Sequence, residues 1–265
     1  MTTPGVRRLL GIITLLVCGF SVAPVLVVVI ESFTTSDYVV FPPPGLGLKW
    51  YHEFANRPEF IDSVLVSAVT ALCASVSATL LGLAASFALL RHHLPGRSLL
   101  RALFMAPLSL PGLVLGLALL QMLARNGIPR GVLTMVLAHV LITTPFVIRF
   151  VTVALSGVDP RIEQAAASLG ATRLVVFRQV TLPLIRPGLV AALVFAFIIS
   201  FDEVAASLFV ASPDAMTLPV RIFVYVEQNY DPLVTAVSSL LVLAAIVALI
   251  VVERLIGVGR VFGLR

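Results

Sequence analysis

Charge is scarce in this chain. Of its 265 residues only 12% are Asp, Glu, Lys or Arg, and Lys49 is the single lysine; a soluble domain carries about a quarter. A water-facing surface cannot be built from so few, which excludes soluble enzymes, nucleic-acid binders and disordered tails. Cysteine is nearly absent as well. Cys18 and Cys73 both sit inside apolar runs and act as small hydrophobes, so neither a disulfide framework nor a cysteine metal site is expected. No G-x-x-x-x-G-K-[ST] phosphate loop occurs, so the chain does not hydrolyse ATP by that chemistry. No H-E-x-x-H, G-x-S-x-G or paired-acid cluster at a membrane face occurs either, which argues against an enzyme; no catalytic residue, metal ligand or cofactor is assigned. What the chain has in abundance is apolar residues, 59% of the total, with a mean hydropathy of +1.09. It reads as an all-α integral membrane protein with the lipid bilayer as its solvent.

A helix crosses the hydrocarbon core with about 20 mostly apolar residues. Six stretches qualify, over residues 9–30, 64–90, 102–124, 132–148, 189–210 and 233–252. They use nearly the whole chain, so residues 1–265 read as one transmembrane domain with its longest inner connection over 149–188. Basic residues collect on the cytoplasmic side of membrane proteins. With the N-terminus inside, that face holds thirteen basic and three acidic residues, a net +10, and the outer face five basic and eight acidic, a net −3. Both termini are therefore expected in the cytoplasm. Arg7-Arg8, the first apolar run and Ser21-Val22-Ala23 imitate a cleavable signal peptide. The run continues to Ile30, however, beyond the roughly 7–15 residues of a signal core, so retention as an anchor is expected.

In the second span small residues recur at helical spacing, Ser67, Ala71, Ser75 and Thr79 on one row and Ala74, Ala78 and Gly82 on the next. Such a face lets helix backbones approach closely in lipid and is read as bundle packing. Pro107 to Val114 and Pro183 to Val190 resemble each other and suggest shared helix-entry chemistry. In the inner loop, Asp159-Pro160 reads as an N-cap followed by proline at the first helical position, 161–169 as a helix, and Gly170 as its terminator. Thr172 is placed to cap a second helix over 173–180, ended by Pro183. Two short helices around a glycine turn make a rigid knob suited to docking another protein. The alternative is an ordinary amphipathic surface helix.

Here a family resemblance enters. Glu163-Gln164-Ala165-Ala166-Ala167-Ser168-Leu169-Gly170-Ala171, followed by Val180-Thr181-Leu182-Pro183, resembles the EAA loop of ATP-binding-cassette importer permeases: Glu-Ala-Ala, three residues, Gly, nine residues, Ile-x-Leu-Pro. Anchored on Gly170, Gln164 takes the glutamate position and Val180 the isoleucine position; a role that needs a carboxylate there would pass to Glu163. The strings Met105 to Gly112, Phe201-Asp202-Glu203-Val204 and Thr217-Leu218-Pro219-Val220-Arg221 resemble the second permease of the spermidine/putrescine branch. The resemblance implies a type I importer permease fold in a bacterial inner (cytoplasmic) membrane. It implies a homologous second permease, a pair of cytoplasmic ATPase subunits that hold ATP and Mg, and a periplasmic or extracellular solute-binding protein. It also places Glu163, Gln164, Ala165, Ala166, Gly170, Leu182 and Pro183 in the coupling of this chain to the ATPase.

Asp202 and Glu203 lie about 14 residues into the fifth span, roughly 21 Å from its inner end. Acids within the membrane face a cavity or a partner, and carboxylates match a cationic solute. On a continuous helix Ser200, Glu203 and Ser207 share one face. The other reading is a structural pair with an arginine or with backbone donors. His139 and Thr143, with Thr144, are weaker candidates for the same pathway, and Pro145 is expected to kink their helix. The amphipathic stretch 218–230 either closes the pathway from outside or meets a solute-binding protein. The competing class is a secondary transporter or channel independent of ATP, which usually needs coupling-ion sites or an inverted repeat, neither of which is found.

Overall fold

The computed structural model describes residues 4–92 and 94–256; Arg260 and Arg265, counted above with the inner face, lie outside them. The described residues are helical, with two isolated bridges, Thr34 to Leu46 and Ser212 to Ala215, and no strand. In order, the helices are α1 (Pro4–Glu31), α2 (Lys49–Ala55), α3 (Pro58–Arg91), α4 (Arg97–Met105), α5 (Gly112–Arg125), α6 (Val132–Ser156), α7 (Pro160–Ser168), α8 (Arg173–Val176), α9 (Leu182–Asp202), α10 (Ser207–Val210), α11 (Leu218–Gln228) and α12 (Leu233–Ile256). Among the described residues, α1, α3, α6 and the run Arg173–Asp202 are each long and apolar enough to cross a membrane. The pair Arg97–Ser109 and Gly112–Arg125 makes a fifth crossing if counted as one, and α12 contributes a shorter apolar stretch, Leu233–Val247.

Four expectations are corrected. The third span is not straight: its two halves meet at 104°. Pro107 and Pro111 have no N–H to donate, and Pro111 forces Leu110 out of the helical region to φ −97°, ψ 134°. The fourth helix does not stop at Ile148 but runs two turns further to Ser156, with Pro145 inside it and no break, so Arg149 is helical and the inner loop is shorter than 149–188. Pro183 does not end a helix. A π-turn over Phe177–Thr181 joins α8 to α9, loosening the ladder just where Pro183 cannot donate, and the helix continues from Arg173 to Asp202. The two resembling strings therefore do not share one helix-entry chemistry: Pro111 is the N-cap of α5, just before its first turn, whereas the run from Arg173 continues through Pro183 and Pro187. Finally, the fifth span ends at Asp202 rather than Val210.

The described residues fall into two compact units. One combines α1, α2, the connection between them and Ile222–Ile250. Within it the Tyr51 hydroxyl shares hydrogen bonds of 2.7 Å with both Ser32 and Ser239, and Phe60 meets Tyr225 edge-on at 5.4 Å. Burial and a 2.6 Å hydrogen bond donated to Asp231 push the Tyr225 phenol up to about 12, so it stays protonated under the Arg57 guanidinium. The apolar side chains of α1 stand open, Leu15 at 74% and Phe20 at 82%, a surface that only lipid or another apolar face can cover.

The other unit spans Asp62–Arg221. Its core forms where the small-residue face of α3 meets α6 and α9, with Ala78 against Val147, Val151, Ala192 and Ala196. Ser67, Ala71, Ala74 and Ser75 are buried on the same face, as the spacing predicts. Polar cross-links reinforce it: Ser86 donates to the Ile148 carbonyl at 3.2 Å and the Leu218 amide donates to Ser67 at 2.7 Å. Each such bond between membrane helices contributes about 0.6 kcal/mol, so shape fit of small residues carries most of the association.

Candidate functional site

The first helix of the knob and its glycine turn form as the sequence predicts; the second short helix is instead the opening of the long run Arg173–Asp202. The Asp159 carboxylate accepts the Arg161 amide at 2.9 Å, capping α7 with Pro160 at its first position. At the other end Gly170 takes φ +90°; its amide donates to the Ala167 carbonyl at 3.0 Å and the Ala171 amide to the Ala166 carbonyl at 3.2 Å. That pair of bonds is the Schellman closure, which requires a left-handed residue and therefore favours glycine. Thr172 occupies the next N-cap position without a side-chain cap bond. Gln164, Ala165 and Gly170 are exposed and Ala166 half-buried, and Leu169 stands 90% open to solvent. The outer side of α7 is thus a small, partly apolar, unpartnered surface.

Glu163 points the other way. Its Oε2 lies 3.1 Å from Arg91 Nε as an ion pair, and its Oε1 accepts from Thr181 at 2.8 Å and from Arg91 Nη2 at 3.4 Å. The same Nη2 also donates to the carbonyls of Val158 at 3.2 Å and Leu155 at 3.4 Å. Both charged side chains are about 15% exposed. One arginine at the end of α3 therefore binds the end of α6 and, through Glu163, ties α7 to the π-turn. Glu163 does not offer its carboxylate on the side where Gln164 stands. Leu182 packs beside Leu155, Val158 and Ile185, while Pro183 is exposed. Arg91 and Thr181 were not singled out by the sequence: a loop arginine and a threonine before Leu-Pro carry no signal of a bond 72 and 18 residues away.

The second constellation surrounds the break after α9. Glu203 is extended (φ −72°, ψ 115°), and its Oε1 accepts the Ala206 amide at 2.8 Å, closing the turn that leads into the short α10. The periodicity that put Ser200, Glu203 and Ser207 on one face fails for Glu203, because the helix stops one residue earlier. The two serines still meet, on His139: its Nδ1 lies 2.7 Å from Ser200 Oγ and its Nε2 2.8 Å from Ser207 Oγ. A neutral imidazole donates through one nitrogen and accepts through the other, and two hydroxyls match it. His139 is 1% exposed, and Thr143, also buried, donates to the His139 carbonyl at 2.7 Å. These residues staple the two sides of the break from α6. Asp202 is exposed and Glu203 half-buried, and neither makes an ion pair among the described residues. Gly116 of α5 completes the fit: a β-carbon there would come within 2.7 Å of Ala206 Cα and 2.8 Å of Phe209. Among the described residues no group of His, Cys, Asp and Glu is placed to hold a metal ion.

Comparison with known proteins places this geometry. The sequence pattern of the family described as binding-protein-dependent transport system inner membrane component matches residues 78–257. The putrescine transport system permease protein PotI of Escherichia coli (strain K12) is 35% identical over 238 residues, covering 86% of this chain and 84% of that one. The spermidine/putrescine transport system permease protein PotC of Haemophilus influenzae is 30% identical over 233 residues, covering 88% and 90%. Among solved structures, a chain of a bacterial ABC transporter involved in the import of the acidic polysaccharide alginate superposes with a TM-score of 0.73 over 96% of this chain and 98% of its own. At 14% identity that likeness concerns the fold alone.

Proposed function

This chain belongs to the family of binding-protein-dependent transport system inner membrane components, the permeases of ABC importers, and from that premise we propose that it forms half of a pathway for a small polyamine-like cation. In this reading six spans cross a bacterial inner membrane as one domain, with the bent α4–α5 pair as the third and α12 as the last. Both termini are cytoplasmic, on the strength of the +10 to −3 charge asymmetry; a C-terminal reporter active only outside would overturn that orientation. A homologous permease completes the pathway, a solute-binding protein delivers the cation, and a pair of ATPase subunits, which hold ATP and Mg, drives the cycle through α7.

The observation that carries the substrate class is the break at Asp202-Glu203. Two carboxylates stand at an interruption of a membrane helix, without a cationic partner among the described residues. Interrupted helices and intramembrane acids mark substrate paths, and the relatives named for putrescine and spermidine supply the cation class. His139, Ser200 and Thr143 hold the break in place from beneath. The Asp202→Asn, Glu203→Gln double variant is expected to lower putrescine uptake per assembled complex about tenfold, a loss of roughly 1.4 kcal/mol of attraction, while assembly with the ATPase stays normal. Normal uptake would remove these residues from the path.

Coupling is tested separately at Gly170. A β-carbon there meets nothing within 4 Å, so any effect of Gly170→Val comes from backbone strain at φ +90° and not from a clash. The variant is expected to insert normally and to lose most uptake, because the turn that presents α7 no longer closes. Wild-type uptake by Gly170→Val would end the assignment of α7 as the coupling helix.

A further inference from the structure

The importer reading leaves one feature unused, the segment Arg97–Ser109 and the cleft beside it. α4 buries none of its residues. Arg97 and Arg101 stand four apart on one face, and Leu99 and Leu103, 73% and 66% exposed, stand four apart on another. The segment turns 104° from α5. With α5 along the membrane normal, it lies across the bilayer surface, the posture of an interfacial amphipathic helix with leucines in the acyl layer and arginines at the headgroups. Between it and the last turns of α6 is a cleft of about 510 Å³. Its polar lining is Arg101, Arg149, Ser109 and Thr152, and four apolar side chains make up the rest. Neither guanidinium has a hydrogen bond or ion pair with any described residue. Two unpaired like charges on one cleft repel each other until an anion enters, and the Ser109 hydroxyl adds a donor that suits a phosphate oxygen, while Thr152 donates to Ser86 at 3.5 Å.

We propose that this cleft binds the phosphate headgroup of an anionic lipid in the leaflet on the α7 side. The apolar half of the lining and the exposed leucines beside it select a lipid over free phosphate, since an acyl chain can continue from the cleft along α4. Basic clefts between membrane helices are suited to this ligand, because each guanidinium contributes attraction that neighbouring water screens only in part.

The test uses the complete transporter, purified with its partner subunits. Native mass spectrometry reads the lipid retained after exchange into mixed phosphatidylglycerol and phosphatidylcholine, with inorganic phosphate added in a parallel arm. Wild type is expected to retain phosphatidylglycerol preferentially. Arg101→Gln/Arg149→Gln should lose about tenfold of that retention, with phosphatidylcholine unchanged. Arg101→Lys/Arg149→Lys, which keeps the charge, should retain most of it, and Arg8→Gln, outside the cleft, all of it. Equal phosphatidylglycerol retention by the glutamine pair overturns the proposal. So does binding of inorganic phosphate with the same arginine dependence but no phosphatidylglycerol preference, which would make the cleft a free-anion site. Loss of the partner permease from the glutamine pair at unchanged lipid retention also overturns it, as that would make this face a protein interface.

Discussion

Arg91→Ala is expected to destabilise the assembled protein by about 3 kcal/mol, the low end of the cost of breaking a buried ion pair, because the pair keeps some contact with solvent. The mutation strands the Glu163 carboxylate with only the Thr181 hydroxyl, and it removes the donor shared by the Leu155 and Val158 carbonyls. Yield of the purified complex should fall more than tenfold. Glu163→Gln should be milder, since an amide oxygen can still accept from Thr181 and Arg91. What separates this network from simple stabilisation is the ratio of uptake to ATP hydrolysis in the complex that does assemble. If Arg91 holds α7 against the ends of α3 and α6, ATP hydrolysis by the Glu163→Gln complex continues while uptake per ATP drops several-fold. An unchanged ratio would reduce the network to a packing role.

Gly116→Val is expected to be as damaging by a different route. The new β-carbon meets backbone, Ala206 Cα at 2.7 Å and Ala206 O at 3.0 Å, and backbone cannot rotate away as a side-chain tip can. Overpacking of this kind costs about 1–3 kcal/mol and sometimes more. Here it acts at the α9–α10 break, so displacing Ala206 also withdraws the amide that Glu203 accepts. Uptake should be nearly abolished. Gly19→Ala in α1, where a β-carbon meets nothing within 4 Å, should be silent. Detergent melting curves and putrescine uptake on the two variants check both statements, and a Gly116→Val protein with wild-type melting would show that the two segments are not in contact.

The features legible in the sequence are those fixed by neighbours a few residues away. Asp159, Pro160 and Gly170 mark the ends of α7 because capping and left-handed turns are local chemistry, and Ala71, Ala74 and Ser75 mark a packed face because helical spacing is local. The break after Asp202 was hidden because residues on either side of it are equally apolar and no glycine or proline interrupts them. It is held by His139 from another helix and by Glu203 accepting the Ala206 amide in the turn before α10. The signal, in retrospect, is the acid pair itself, since a carboxylate inside an apolar run can replace a missing helical acceptor. Pro183 misled in the opposite sense, because a π-turn just before it let the helix continue. The Arg91–Glu163 pair joins residues 72 apart: Glu163 stands out in its motif, but nothing near it in sequence names Arg91 as its partner.

The central claim is that transport through this chain is driven by ATP on a separate subunit docked at α7. Putrescine uptake into proteoliposomes carrying the purified complex, with solute-binding protein and ATP on their respective sides, tests it most directly. Uptake is predicted to require ATP, to persist when proton and sodium gradients are collapsed, and to vanish when the ATPase subunit is omitted. Uptake by the permease chains alone, driven by an ion gradient and indifferent to ATP, would contradict the account and make this protein a secondary transporter.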